Sequence, residues 1–265
     1  MAMQPPIINV MEQAARKAAR GLIRDFGEVE QLQVSRKGPA DFVSAADMRA
    51  EKVLLEELRK ARPRYGLLME EGGAKAGKDE HNRWIVDPLD GTSNFLHGIP
   101  HFAISIAQEQ DGEVIAGVVF EPLRDELFWA AKGAGAYLNR RRLRVSSREH
   151  LQDALIATGI PFKGKPKHEA FLDTMAKVMP EVAGIRRFGS AALDLAWLAA
   201  GRYDGFWEFG LEPWDIAAGL LLVREAGGRV TDIDGKDAMF DNGSVLAANA
   251  RLYEPLGNLV RAGMR

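Results

Sequence analysis

The chain predicts an α/β fold, and three observations carry that expectation. Apolar runs rich in Val, Ile, Phe and Trp alternate with stretches whose apolar residues recur every three or four positions. Several of those runs end abruptly in carboxylates, as in Trp84-Ile85-Val86-Asp87-Pro88-Leu89-Asp90, and strand ends that enter a tight turn are where α/β folds place ligands. The 265 residues are 46% hydrophobic and 27% charged, which gives the size and balance of a globular protein with a real core. A net charge of −2 supplies no electrostatic reason to expect nucleic acid. The absence of cysteine excludes disulfides, thiolate metal sites and a cysteine nucleophile. Residues 1–6 show neither a basic n-region nor a following apolar h-region, so no signal peptide is expected. No apolar run approaches the roughly 20 residues that span a bilayer, and the expectation is a soluble, cytoplasmic protein without a membrane partner.

Taken in order, Ile7, Val10, Met11, Ala14, Ala18, Leu22 and Phe26 mark an amphipathic helix ending near Gly27. Residues 37–44 carry turn chemistry, and a second helix starts at about Ala45, runs through Val53, Leu54 and Leu58, and stops before Pro63. Asp47 falls in its first turn, where a carboxylate favours the helix dipole, and spacing alone favours that duty over a place in a site. Tyr65–Met69 reads as a strand ending on Glu70-Glu71, followed by a polar, Gly-rich loop over residues 72–82. Trp84–Val86 is a buried strand. His101–Gln108, Val114–Phe120 and Glu126–Ala131 follow as antiparallel strands joined by turns at Asp111-Gly112 and at residues 122–125. Gly133 and Gly135 close this meander, and the basic run Arg140-Arg141-Arg142 with Arg144 reads as a solvated face or subunit contact.

Beyond a lobe boundary placed near residue 145, strands and helices alternate. Ala154–Ala157 is a strand, residues 168–179 a helix, Ile185–Phe188 short and extended, and Ala191–Ala200 an Ala/Leu-rich helix. Asp204–Phe209 is strand-like and leads into a helix from about Trp214 to Ala226, capped by Gly227-Gly228. Val230 and Val245 lie in further strands, and a helix from about Leu252 to Ala262 closes the chain. The organisation is thus an N-terminal α+β lobe (1–145) with an antiparallel sheet and a C-terminal α/β lobe (146–265).

The chemistry gathers at two acidic turns. In Asp87-Pro88-Leu89-Asp90-Gly91-Thr92, two carboxylates three positions apart meet a glycine and a candidate helix start, whose free N–H groups form a phosphate seat. Trp207-Glu208-Phe209-Gly210-Leu211-Glu212-Pro213-Trp214-Asp215 repeats the pattern, with Pro213 at the beginning of a helix. Asp215 reads equally as a helix-start residue or as a carboxylate facing Asp87 and Asp90. If Glu70, Asp87, Asp90 and Asp215 converge, they repel any phosphate unless hard divalent cations invert the sign of the site. Mg²⁺ suits carboxylates together with substrate phosphate. His97 and His101 flank the first turn and read as structural hydrogen-bonders.

These residues resemble the inositol monophosphatases of the lithium-sensitive, Mg²⁺-dependent phosphatase superfamily, and the bacterial inositol-1-monophosphatases in particular. Asp87-Pro-Leu-Asp-Gly-Thr-Ser-Asn-Phe95 is similar to the first family signature. Trp214-Asp-Ile-Ala-Ala-Gly219, extended by Glu225-Ala-Gly-Gly228, is similar to the second, and Gly189-Ser190-Ala191-Ala192 resembles the substrate-loop motif. The resemblance implies a layered α-β-α-β-α sandwich of the inositol monophosphatase / fructose-1,6-bisphosphatase type, usually dimeric. It implies that Glu70, Asp87 and the Leu89 carbonyl bind one Mg²⁺, that Asp87, Asp90 and Asp215 bind a second, and that a third, weaker ion sits near Glu70. Gly91 and Thr92 would hold the phosphate. Thr92 with Glu70 and Asp47 would orient the attacking water, and Asp90, Ser190, Ala191 and Glu208 would line the substrate side. Li⁺ is expected to inhibit.

The substrate implied is a small phosphate monoester, inositol 1- or 4-monophosphate first. Histidinol phosphate, fructose 1,6-bisphosphate, a nucleotide 3′-phosphate and other sugar phosphates remain alternatives, as does a regulatory binding protein on the same fold. An aspartate-nucleophile phosphatase is disfavoured by the Asp-x-x-Asp spacing.

Overall fold

A computed structural model describes residues 4–28, 34–36, 42–162, 164 and 167–264. Residues 37–41 of the first turn-rich segment lie outside the described residues. Two long helices open the chain, α1 (Pro6–Phe26) and α2 (Ala45–Ala61), with the small hairpin β1 (Val34–Arg36) and β2 (Phe42–Ser44) between them. Both helices follow the predicted apolar stripes, and α2 ends two residues before Pro63.

An eight-stranded sheet comes next, built from β3 (Gly66–Met69), β4 (Gly73–Lys75), β5 (Asn82–Asp90), β6 (Ala103–Gln110), β7 (Glu113–Glu121), β8 (Glu126–Ala131), β9 (Gly135–Leu138) and β10 (Arg141–Arg142). Its order is β10-β9-β8-β7-β6-β5-β3-β4. The five-residue helix α3 (Thr92–Leu96) separates β5 from β6. Three details depart from the sequence reading. The strand at Trp84 runs on through both carboxylates to Asp90, with a register shift against β6 between Asp87 and Asp90. Part of the expected loop over 72–82 is the edge strand β4, antiparallel to β3. Gly133 and Gly135 do not end the meander but make the turn into β9, and two of the arginines form the edge strand β10. Backbone pairing decides such short edges, and polar side chains give no sign of it.

The second sheet holds β11 (Leu155–Thr158), β12 (Gly184–Arg186), β13 (Gly205–Glu208), β14 (Arg229–Thr231) and β15 (Val245–Ala248), in the order β12-β11-β13-β15-β14. Between its strands run α4 (His168–Val178), α5 (Ala191–Ala199), α6 (Pro213–Glu225) and the short α7 (Met239–Asn242), and α8 (Tyr253–Ala262) ends the chain.

Alternation along the strands stacks these elements into five layers. Trp84, Val86, Ile104, Ile106, Val118 and Phe120 face α1 and α2. Ile85, Ala103, Ala107, Val119 and Phe128 face the opposite way, onto α5 and α6. The same two helices cover one face of the second sheet through Ala157, Phe206, Val245 and Ala247. The other face, with Ile156, Trp207, Leu246 and Ala248, packs against α4 and α8. The order is therefore α-β-α-β-α. A helix layer buried on both sides needs small and apolar residues all round, which explains why α5 and α6 are so rich in Ala and Leu and carry no polar face.

Candidate active site

The geometry begins with a parallel pair. β3 and β5 run in the same direction, with Met69 opposite Val86, so both strands deliver their ends to one edge. The Glu70 N–H donates to the Val86 carbonyl at 3.3 Å, setting Glu70 beside Asp87. The bulge after Asp87 lets one strand present both Asp87 and Asp90 at that edge, where strict alternation would turn them to opposite faces. The Asp87 carboxylate accepts from the Leu89 N–H at 2.9 Å, and the Leu89 carbonyl accepts from the Thr92 hydroxyl at 2.9 Å. Gly91 adopts φ 95°, and a Cβ there would stand 3.0 Å from the His101 carbonyl oxygen, so glycine fits this turn on both counts.

Asp47 is fully buried at the start of α2, which makes it more than a surface residue compensating a dipole. It lies with Glu70 and Glu71 in a group in which one carboxylate oxygen from each residue falls within 4.8 Å of the others. Glu71 was absent from the sequence-derived site. Adjacent residues point apart while a strand continues, but this strand stops at Met69 and the following turn brings both glutamates together. Glu51 holds that turn, accepting from the Glu71 and Gly72 N–H groups at 2.9 and 3.1 Å.

The second half of the site comes from the C-terminal elements. Ser190 is the N-cap of α5 and donates its hydroxyl to Asp90 at 2.6 Å, while the Ala192 N–H donates to the same carboxylate oxygen at 2.8 Å. Glu208 ends β13. Asp215 is the third residue of α6 and serves its cap, accepting from the Glu212 N–H at 2.8 Å in a reciprocal capping box. Asp215 thus starts α6 and also lines the cavity that Asp90 lines. Ser105 ties α6 to the first sheet by donating to the Trp214 carbonyl at 3.2 Å.

A cavity of about 400 Å³ opens where these pieces meet, walled by Glu70, Asp90, Thr92, Ser190, Glu208 and Asp215. Gly91 and Ala191 also line it. Ile160, Phe162, Arg187, Leu211 and Trp214, which the sequence reading left out of the site, line it as well; they come from loops and from the start of α6, whose convergence is a tertiary property. His97 is the hydrogen-bonder expected, its Nδ1 2.8 Å from the Ser93 carbonyl, whereas His101 packs its ring against Phe188 and Trp197 and its buried Nε2 meets no hydrogen-bond partner among the described residues.

The electrostatics show that the carboxylates do converge. Burial pushes the Asp87 carboxyl well above the usual range, and the charges of Glu70, Asp90, Asp215 and Asp47 push it further. Asp90 is raised to about 6 by burial, against the opposing hydrogen bonds from Ser190 and the α5 N-terminus. Asp215 is raised by burial and by Asp90, Glu70 and Glu208. Like charges so close, away from bulk water, hold protons they would normally release. A hard cation removes that conflict, and an all-oxygen donor set of this kind fits Mg²⁺ rather than a softer metal.

Two sheets between three helical layers, with a carboxylate-walled cavity at their shared edge, define a layered α/β protein equipped to hold cations. The inositol monophosphatase family model matches residues 3–263. An inositol-1-monophosphatase of Mesorhizobium japonicum is 59% identical over 255 residues, covering 96% of both chains. The Nus factor SuhB of Pseudomonas aeruginosa is 44% identical over 255 residues, covering 95% of this chain and 94% of that one. Among solved structures, the extragenic suppressor protein suhB of Bartonella henselae superposes with a TM-score of 0.95 at 55% identity, covering 98% of this chain and 100% of that one. The chain belongs to the inositol monophosphatase family.

Proposed function

We propose that the protein is a Mg²⁺-dependent phosphate monoesterase that converts inositol monophosphate to inositol and phosphate. The observation that carries this reading is the convergence of the buried Asp87 with the half-buried Asp90, Asp215 and Glu70, a constellation that is self-repelling without cations. Glu70, Asp87, Asp90, Asp215 and the carbonyl of Leu89 would hold two to three Mg²⁺ ions. When bound, such ions supply Lewis acidity, neutralising phosphoryl charge and lowering the pKa of water in an in-line displacement.

The protein's own groups do the rest. The Gly91–Thr92 turn directs backbone N–H groups toward the phosphate. The Thr92 hydroxyl is already oriented by the Leu89 carbonyl, and together with the Glu70 and Asp47 carboxylates it would position the attacking water. Asp90, Ser190, Ala191 and Glu208 face the alcohol half of the substrate around the cavity. No side-chain nucleophile is needed, so no phosphoenzyme forms.

Phosphate release from myo-inositol 1-phosphate, assayed with Mg²⁺, with a chelator and with added Li⁺, tests the proposal. Mg²⁺-dependent, Li⁺-inhibited turnover is expected, and inactivity across a panel of inositol, sugar, histidinol and nucleotide 3′-phosphates would overturn it. We also propose a cytoplasmic homodimer, which sedimentation equilibrium checks; among the described residues no helix is long and apolar enough to cross a membrane. The SuhB relative favours a second reading, a regulatory binding role on the same fold. That role would survive Asp90→Asn, which removes the chemistry alone.

A further inference from the structure

We propose that Asn94 is a positioning residue: its carboxamide holds the segment 188–191 against helix α3 and so sets affinity for the alcohol half of the substrate. The inference rests on the phosphomonoesterase reading of the same site.

Asn94 lies in the middle of α3, immediately after the phosphate seat, and is 5% exposed. Its Nδ2 faces three carbonyl oxygens: His101 at 2.9 Å, Phe188 at 2.7 Å and, more distantly, Gly189 at 3.5 Å. A carboxamide NH₂ has two hydrogens, and this array uses both. Three acceptors around one nitrogen also fix which end of the amide is which. The first acceptor is local, seven residues away, whereas the other two come from a loop more than ninety residues further along the chain. Asn94 is therefore a clamp between the two acidic halves of the site.

The clamped segment is built to be held. Gly189 turns with φ 82°, and a Cβ there would meet the Arg187 guanidinium at 2.7 Å. The ring of Phe188 packs 5.1 Å from His101, 5.9 Å from Trp197 and 6.3 Å from Tyr203, which anchors the same residue from its other side. Two residues after Phe188, Ser190 reaches Asp90, and Ala191 lines the cavity. Fixing the Phe188 and Gly189 carbonyls thus fixes where Ser190 and Ala191 present themselves. Glu70, Asp87 and Asp215 are carried by the β3 turn, β5 and α6, outside the clamped segment, while Asp90 stands on β5 and meets that segment only as the acceptor of the Ser190 hydroxyl and the Ala192 N–H.

Asn94→Asp replaces the donor with an acceptor against the same carbonyls, and Asn94→Ala removes it. Both variants are expected to raise KM for myo-inositol 1-phosphate by at least about tenfold, the scale of one lost buried hydrogen bond. The kcat at saturating substrate and Mg²⁺ should stay within about threefold of the parent. Hydrogen exchange without substrate or metal should quicken over residues 187–193 and remain unchanged in α1 and α8. An unchanged KM, with or without a lower melting temperature, overturns the inference, as does a loss confined to kcat. If the unsubstituted protein hydrolyses no phosphomonoester, the functional reading fails instead. The exchange measurement still decides the clamp in that case: unaltered exchange over 187–193 in Asn94→Ala overturns it.

Discussion

Asp90 shows how one carboxylate serves both halves of the molecule. It sits on the β5 edge, accepts from Ser190 and Ala192 of the other half, and keeps its proton up to about pH 6 because burial outweighs those bonds. An amide at this position still accepts both bonds but carries no charge. Asp90→Asn and Asp215→Asn are therefore expected to abolish Mg²⁺-dependent phosphate release while the metal-free fold stays intact, read by circular dichroism and melting; near-normal turnover in either would sink the metal assignment. The sign of the pH effect follows from the raised pKa. Unfolding returns Asp90 to about 3.8, so the folded state binds the extra proton between about 3.8 and about 6. Metal-free stability from this group is intact below the lower value and is lost as pH rises through the upper one. In chelator, the stability advantage of Asp90→Asn over the parent should grow from pH 4 to pH 7, measured by urea unfolding; an advantage that shrinks over that range would contradict it.

Elements place these residues through close backbone approaches. β11 and β13 run parallel and end together, and a Cβ on Gly159 would overlap the Glu208 carboxylate at 1.7 Å. Gly159→Ala should therefore displace Glu208 and raise KM for inositol monophosphate roughly tenfold, with the half-saturating Mg²⁺ concentration unchanged. If the Mg²⁺ requirement shifts instead, Glu208 belongs to the metal side of the cavity. In the middle layer a Cβ on Gly219 would lie 2.6 Å from Leu195, so α5 and α6 meet at a glycine. Gly219→Ala is expected to cost about 1–3 kcal/mol in urea unfolding through overpacking. The long helices and central strands were legible because their apolar residues repeat with period 3.6 or 2. The edge strands β4 and β10, and β9 beside β10, were not, because runs of two to four residues are too short to display a periodicity.

For the whole molecule, the cavity joins two sheets that share the α5–α6 layer, so cations bound there cross-link the first sheet to the C-terminal elements. A ligand that binds the folded state alone stabilises it by about 2.7 kcal/mol at one hundred times its dissociation constant. Mg²⁺ is accordingly expected to raise the melting temperature over that in chelator, and Asp215→Asn should lose most of the rise; an equal rise in both proteins would place the ion elsewhere.

The sequence by itself determined the α/β class, nearly every long element, and the acidic turns at Asp87–Asp90 and Glu208–Asp215. These depend on residue type and local spacing, which a linear chain displays. Only the tertiary structure decided that Asp47 is buried beside Glu70, that Glu71 joins them, and that Asn94 clamps a loop from the other half. It also decided that Ile160, Phe162 and Arg187 line the cavity. Such contacts bring together segments far apart in the chain, and the packing of five layers creates them; no single stretch carries their signal.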